Sequence, residues 1–221
     1  TVLGRLGAHL PMAWINEALD ATQKTTIRNR RLPAEYVVQS IVAMALYRDR
    51  SMSEVTESLD LVLPKTSGAF VTKSAITQAR QKMGESPMEV LFRKSAEKWT
   101  TECNADESWN GLSLWAMDGT SLRTPDSKAN RIEFSAQVYS SGKVASYPQV
   151  RVVTLTSIPS RMIMDASFGP YTRNEMKYAE NLVKQIPPNS LTVFDKGFFS
   201  AALLLELSTL EVVGIFLFQH V

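Results

Sequence analysis

The sequence predicts an α+β protein in which a helical front of about one hundred residues precedes a mixed sheet with helices packed on it. Three observations carry that expectation. Up to Trp99 the apolar residues recur at spacings of three and four, the period of a helix. From Leu112 onward they alternate, the period of a strand. Between the two lies a polar stretch, Thr100 to Asn110, which suits a domain boundary and gives domains of residues 1–105 and 106–221.

Length and composition set the outer limits. A chain of 221 residues with 44% hydrophobic and 21% charged residues can bury one good core or two small ones. No apolar run approaches the roughly 18 residues that would suggest a membrane span, and no secretory signal pattern is present, so a cytoplasmic location is expected. Cys103 is the single cysteine, which excludes an internal disulfide; it reads as a buried small hydrophobe. With only His9 and His220 besides, a Cys/His zinc site is not expected. The net charge of +2 is slight, with the front of the chain mildly basic and the back mildly acidic.

Taken in order, the first helix spans Leu6 to Ala21, interrupted near its start by Pro11, and a basic cluster at Arg28, Arg30 and Arg31 follows. That cluster reads equally as a phosphate contact or a solvated linker. Pro33 opens a helix over Ala34 to Arg48, whose apolar stripe is Val37, Val38, Ile41, Val42, Ala45 and Leu46. Ser51 and Glu54 form a capping box for a helix to about Leu59, and another helix covers Ser74 to Met83 and ends at Gly84. This pair is either part of a plain bundle or a helix-turn-helix offering Lys73, Gln78, Arg80 and Lys82 to DNA. Its connection is longer than the compact motif allows. Pro87 starts one more amphipathic helix, through Trp99.

The sheet half begins with a strand, Leu112 to Met117, running into Asp118-Gly119. Ile132 to Tyr139 and Val144 to Tyr147 flank a turn at Ser140 to Lys143 and predict one hairpin; Gln149 to Thr156 and Arg161 to Phe168 predict a second. A helix over Asn174 to Gln185 stops before Pro187-Pro188. Then come a strand ending at Asp195, a helix from Ser200 to Leu207, and a last strand from Val212 to Phe218.

Asp118 and Asp195 each read as strand-end carboxylates. Either alone is also an ordinary turn or cap residue. Together they suit a divalent metal site, because Mg²⁺ takes hard oxygen ligands from one or two protein carboxylates.

Trp115-Ala116-Met117-Asp118-Gly119-Thr120, Thr172-Arg173-Asn174-Glu175 and Val193-Phe194-Asp195-Lys196-Gly197-Phe198-Phe199-Ser200 resemble the DDE transposases of the insertion sequence four family. The front half, especially Arg30-Arg31-Leu32-Pro33 and Val42 to Tyr47, looks like that family's N-terminal domain. The resemblance implies a DNA-binding helical domain followed by a ribonuclease-H-like catalytic domain, incomplete in this chain. Two Mg²⁺ or Mn²⁺ ions would be held by Asp, Asp and Glu, with Asp118 matching the first and Asp195 the second. It further implies double-stranded DNA, both element ends and target, as the partner, a dimer in the complete synaptic complex, no small-molecule cofactor, no membrane association, and a bacterial, nucleoid-associated location. Lys73, Arg80 and Lys82, with Arg28, Arg30, Arg31, Arg173 and Lys196, are the candidate DNA contacts.

One departure matters. The family's glutamate lies in a later tyrosine-arginine-glutamate-lysine motif that this sequence does not contain. Glu206 and Glu211 follow Asp195 but match no such motif, so no third carboxylate is assigned. The expectation is therefore a transposase fragment, inactive alone. The alternatives are a catalytically inactive DNA-binding remnant and a metal-dependent nuclease on the same core.

Overall fold

A computed structural model describes residues 7–25, 32–52, 54–55, 73–104 and 108–217. The chain divides into two compact units, residues 1–95 and 96–221.

The first unit is helical. Among the described residues its helices include α1 (Met12–Ala21), α2 (Ala34–Leu46) and α3 (Lys73–Met83), and α4 (Ser86–Asn104) starts in it. Pro11 and Pro33 stand immediately before α1 and α2, where a missing backbone N–H costs nothing. Ile15, Ala18 and Leu19 of α1 are buried, as are Val37, Val38 and Ala43 of α2 and Ile76 and Met83 of α3. The stripe of α2 is narrower than its sequence suggests. Ala34 and Ser40 are buried while Leu46 is exposed, and Ser40 Oγ satisfies itself by donating to the Tyr36 carbonyl at 2.8 Å. The capping box forms as expected: the Ser51 N–H donates to Glu54 Oε2 at 2.7 Å and the Glu54 N–H to Ser51 Oγ at 3.3 Å. The rest of the helix expected to reach Leu59, and with it the full helix-turn-helix, lies outside the described residues. α4 continues through Asn104, and Cys103 on it is exposed, not buried; it falls on the water-facing side of the last turn beside exposed Thr101 and Glu102.

The second unit is built on one five-stranded sheet. Its elements after α4 are β1 (Ser113–Arg123), α5 (Lys128–Phe134), β2 (Gln149–Ser157), β3 (Ile163–Pro170), α6 (Glu175–Val183), β4 (Ser190–Asp195), a 3₁₀ turn (Lys196–Phe198), α7 (Ala201–Thr209) and β5 (Val212–Leu217). The strand order is β3-β2-β1-β4-β5. β2 runs antiparallel to both β1 and β3, whereas β4 runs parallel to β1 and β5 parallel to β4. An antiparallel meander extended by two parallel strands across β1 is the ribonuclease-H-like arrangement. Each parallel step needs a crossover, and α7 supplies the one between β4 and β5.

Two expectations are corrected. Ile132 to Tyr139 is not a strand: Ser127 caps α5, its Oγ accepting the Asn130 N–H at 3.2 Å, and Ser135 at φ 62° ends it. Only a bridge between Val138 and Val144 remains of that hairpin. Where the alternation suggested that the first strand stops at Met117, β1 itself runs on and pairs with β2 as far as Arg123↔Gln149. Asp118 is therefore not at the end of its strand, and Asp118-Gly119 is not a turn.

Candidate active site

Strand alternation sorts the sheet into two faces. Trp115 and Met117 of β1, Val153 and Leu155 of β2, and Phe194 of β4 point to one face and form the core with Tyr178, Ala179, Leu182 and Val183 of α6 and Leu203 and Leu207 of α7. Asp118 follows Met117 and Asp195 follows Phe194, so both aspartates point to the opposite face. Met117 and Phe194 are registered partners on the parallel strands β1 and β4. Asp118 and Asp195 stand one residue beyond that pair, on strands whose axes are separated by about 4.8 Å. In the same row Asp118 is paired with Thr154 on β2 and Asp195 with Leu217 on β5.

Both carboxylates are exposed and share the same local hydrogen bond. Asp118 Oδ1 accepts the Gly119 N–H at 2.8 Å, and Asp195 Oδ1 accepts the Lys196 N–H at 2.6 Å. For Asp195 this is a capping contact, because it precedes the 3₁₀ turn. In each case one oxygen is oriented by the backbone.

Two exposed carboxylates side by side are hard donors of the kind a divalent ion takes, with water and substrate phosphate as further ligands. Their chemistry therefore fits Mg²⁺ or Mn²⁺ as part of a ligand set. Among the described residues no group of three His, Cys, Asp or Glu side chains is assembled to hold a metal.

The cationic candidates separate. Lys196 is exposed and directly follows Asp195. Arg173 is exposed at the start of α6, its guanidinium 5.2 Å from the Tyr178 ring centre. Arg80 and Lys82 are exposed on α3, where Arg80 leans on α2 with Nη1 3.9 Å from Met44 Sδ. Lys73 opens α3, and Arg28, Arg30 and Arg31 lie outside the described residues.

A third acidic residue close to Asp118 was legible in the sequence only as part of a motif without a role. Glu175 opens α6 behind Asn174, whose Oδ1 accepts the Met176 N–H at 3.1 Å and caps the helix. Its carboxyl group lies against Gly119, on the core side of the sheet: a Cβ at Gly119 would meet Glu175 Cδ at 2.9 Å. Arg151 of β2 is its ionic partner, with Nε 3.7 Å from Oε1. The Arg151 guanidinium in turn sits 4.6 Å from the Tyr171 ring centre and donates to the Arg173 carbonyl at 3.3 Å. No sequence spacing marks Gly119, Arg151 and Glu175 as neighbours.

Residues 1–93 match the family described as insertion element 4 transposase N-terminal, and residues 109–215 match the transposase DDE domain. Among curated proteins of Escherichia coli strain K12, the chain is 35% identical to the putative transposase InsZ over 201 residues. That match covers 90% of the chain and 66% of the relative. It is 38% identical to the transposase InsG for insertion sequence element IS4 over 202 residues, 91% of the chain and 45% of that relative. The chain thus spans just under two thirds of one relative and less than half of the other. Among solved structures, the piggyBac transposase in a synaptic complex with hairpin DNA aligns over 96% of the chain and 48% of its own, at 12% identity and a TM-score of 0.39. That likeness is too distant to carry weight.

Proposed function

Because the chain belongs to the insertion sequence 4 family of DDE transposases, we propose that its sheet unit carries two of the metal-holding carboxylates of a DNA-cleaving and DNA-joining site, Asp118 and Asp195. The supporting observation is their placement one residue beyond the registered pair Met117↔Phe194, on the same open face of adjacent parallel strands. When bound, a divalent ion supplies activation of an oxygen nucleophile and stabilisation of the leaving oxygen in phosphodiester displacement. The chain's own part is to hold the two carboxylates at a fixed spacing, each oriented by a backbone N–H. Lys196, one residue from Asp195, provides a cation for a nearby phosphate.

The helical unit, by this reading, holds double-stranded DNA, with Arg28, Arg30, Arg31, Lys73, Arg80 and Lys82 as contacts and Arg173 and Lys196 added from the sheet unit. Pairing of two element ends calls for a dimer, and the setting is the bacterial nucleoid. Among the described residues no helix is long and apolar enough to cross a membrane.

Mn²⁺ titration followed by electron paramagnetic resonance tests the metal assignment. Binding by residues 1–221 should be largely lost in both Asp118→Asn and Asp195→Asn; equal binding by wild type and variants would overturn it. A second reading is a non-catalytic DNA-binding remnant, which rests on the match of residues 1–93 to a transposase N-terminal family and asks no chemistry of the sheet unit. Residues 1–221 are accordingly expected to give no strand transfer with Mg²⁺ or Mn²⁺ and element-end DNA, while still binding duplex DNA in a salt-sensitive way. Simple nicking without joining would point instead to a metal-dependent nuclease.

A further inference from the structure

We propose that Glu175, braced by Arg151, is a positioning residue that holds the Asp118 segment of β1 from behind the sheet; its bearing on metal binding rests on the reading of Asp118 as a ligand.

The segment needs a brace because of how β1 is paired. Up to Met117 it lies between β2 and β4, but its pairing with β4 ends at Met117↔Phe194. From Asp118 to Arg123 the registered partner is β2 alone. A strand held along one edge twists and shifts more easily than one held along both. Asp118 is therefore the first residue of β1 to leave the doubly paired region.

Gly119 is where the brace acts. Its φ is not in the left-handed region, so backbone conformation does not call for glycine there. Space does. A Cβ would meet Glu175 Cδ at 2.9 Å, Oε2 at 3.1 Å and Oε1 at 3.2 Å, distances at which one side must give way. The missing side chain thus lets the carboxyl group of Glu175 rest on the β1 backbone. The Gly119 N–H is also the donor that orients Asp118 Oδ1, at 2.8 Å. Whatever fixes Gly119 on the core side fixes the direction of the Asp118 carboxylate on the open side.

Glu175 is itself held at two points. Its backbone opens the capped first turn of α6. Its carboxylate faces Arg151, which stands on β2 two residues before Val153, the registered partner of Gly119. The Glu175 and Arg151 side chains are 39% and 20% exposed, so the pair is partly shielded from solvent screening. Arg151 is kept in place by the Tyr171 ring and the Arg173 carbonyl. The brace therefore spans β1, β2 and the start of α6.

Three variants of the full chain test this. Glu175→Ala removes the brace. Gly119→Ala displaces it, since the atoms that the new methyl meets are the far end of a flexible side chain. Glu175→Gln keeps its shape. In metal-free protein, amide hydrogen exchange at Gly119 and Thr120 should quicken about tenfold in Glu175→Ala and in Gly119→Ala, with β4 and β5 unchanged. Glu175→Gln should stay within about threefold of wild type, and the Glu175→Ala/Gly119→Ala double variant should be no faster than either single one. Unchanged exchange in the single variants, or additive effects in the double, would overturn the proposal. Mn²⁺ affinity provides the second arm: the two alanine variants should weaken it about tenfold if the orientation of Asp118 matters. If wild type binds Mn²⁺ through Asp118 and neither variant weakens it, the positioning role is wrong although the ligand assignment survives. If Asp118→Asn leaves Mn²⁺ binding unchanged, the ligand assignment fails, and exchange alone decides whether Glu175 braces β1.

Discussion

The two faces of the sheet are made from the same strands and have opposite fates. One is covered by α6 and α7 and packs Phe194, with no exposed surface, against Phe198 and Phe216. The other carries Asp118 and Asp195 and leaves Phe168, Val213, Ile215 and Leu217 exposed. Alternation along β1 and β4 assigns each residue to a face, so one step along either strand passes from the core to the candidate site. Rigidity and accessibility are supplied by adjacent residues: Met117 and Phe194 anchor the strands that present Asp118 and Asp195.

Substitutions on the two faces should separate accordingly. Phe194→Ala should cost about 3–5 kcal/mol in denaturant unfolding of residues 1–221, because a fully buried ring is lost from a packed cluster. Phe168→Ala, 64% exposed on the open face, should stay within about 0.5 kcal/mol. Comparable losses would mean that the open face is covered in solution.

A smaller effect tests the cover itself. Ser200 caps α7, its Oγ accepting the Leu203 N–H at 3.2 Å. Ser200→Ala should lower stability by about 1 kcal/mol, and Ser200→Asp should restore most of it. Neutral behaviour of Ser200→Ala would show that packing of Leu203 and Leu207, not the cap, holds this helix in place.

On the open face, Asp118→Asn and Asp195→Asn should leave the unfolding midpoint almost where it was, within about 0.5 kcal/mol, while removing Mn²⁺ binding. A strong destabilisation would recast these residues as structural caps.

The smallest expected effect lies outside both faces, in the connection from β1 to β2. The Arg131 guanidinium, bonded to Asp126 at 2.5 Å, holds that exposed carboxyl below its usual range. A depressed folded value contributes stability above the unfolded value, about 3.9, and loses it as pH falls through the lower folded one. The melting temperatures of wild type and Asp126→Asn should differ slightly near neutral pH and converge in that acid window. A gap that widens toward acid would reverse the assignment.

Much of this arrangement was legible in the sequence. The strand ending at Asp195, the β2–β3 hairpin, the helices beginning near Asn174 and Ser200 and the Ser51–Glu54 capping box are local features, determined by residues at most a few positions apart. The family motifs are equally local, and they marked Asp118 and Asp195. Tertiary structure alone decided that β1 continues to Arg123, that Ile132 to Tyr139 forms no strand, that Cys103 is exposed, and that Glu175 lies on Gly119. These depend on pairings between residues tens of positions apart. A strand's length is set by its partner's register, and the space above a glycine is filled by whichever helix the fold brings there. Neither quantity is written in the residues nearby.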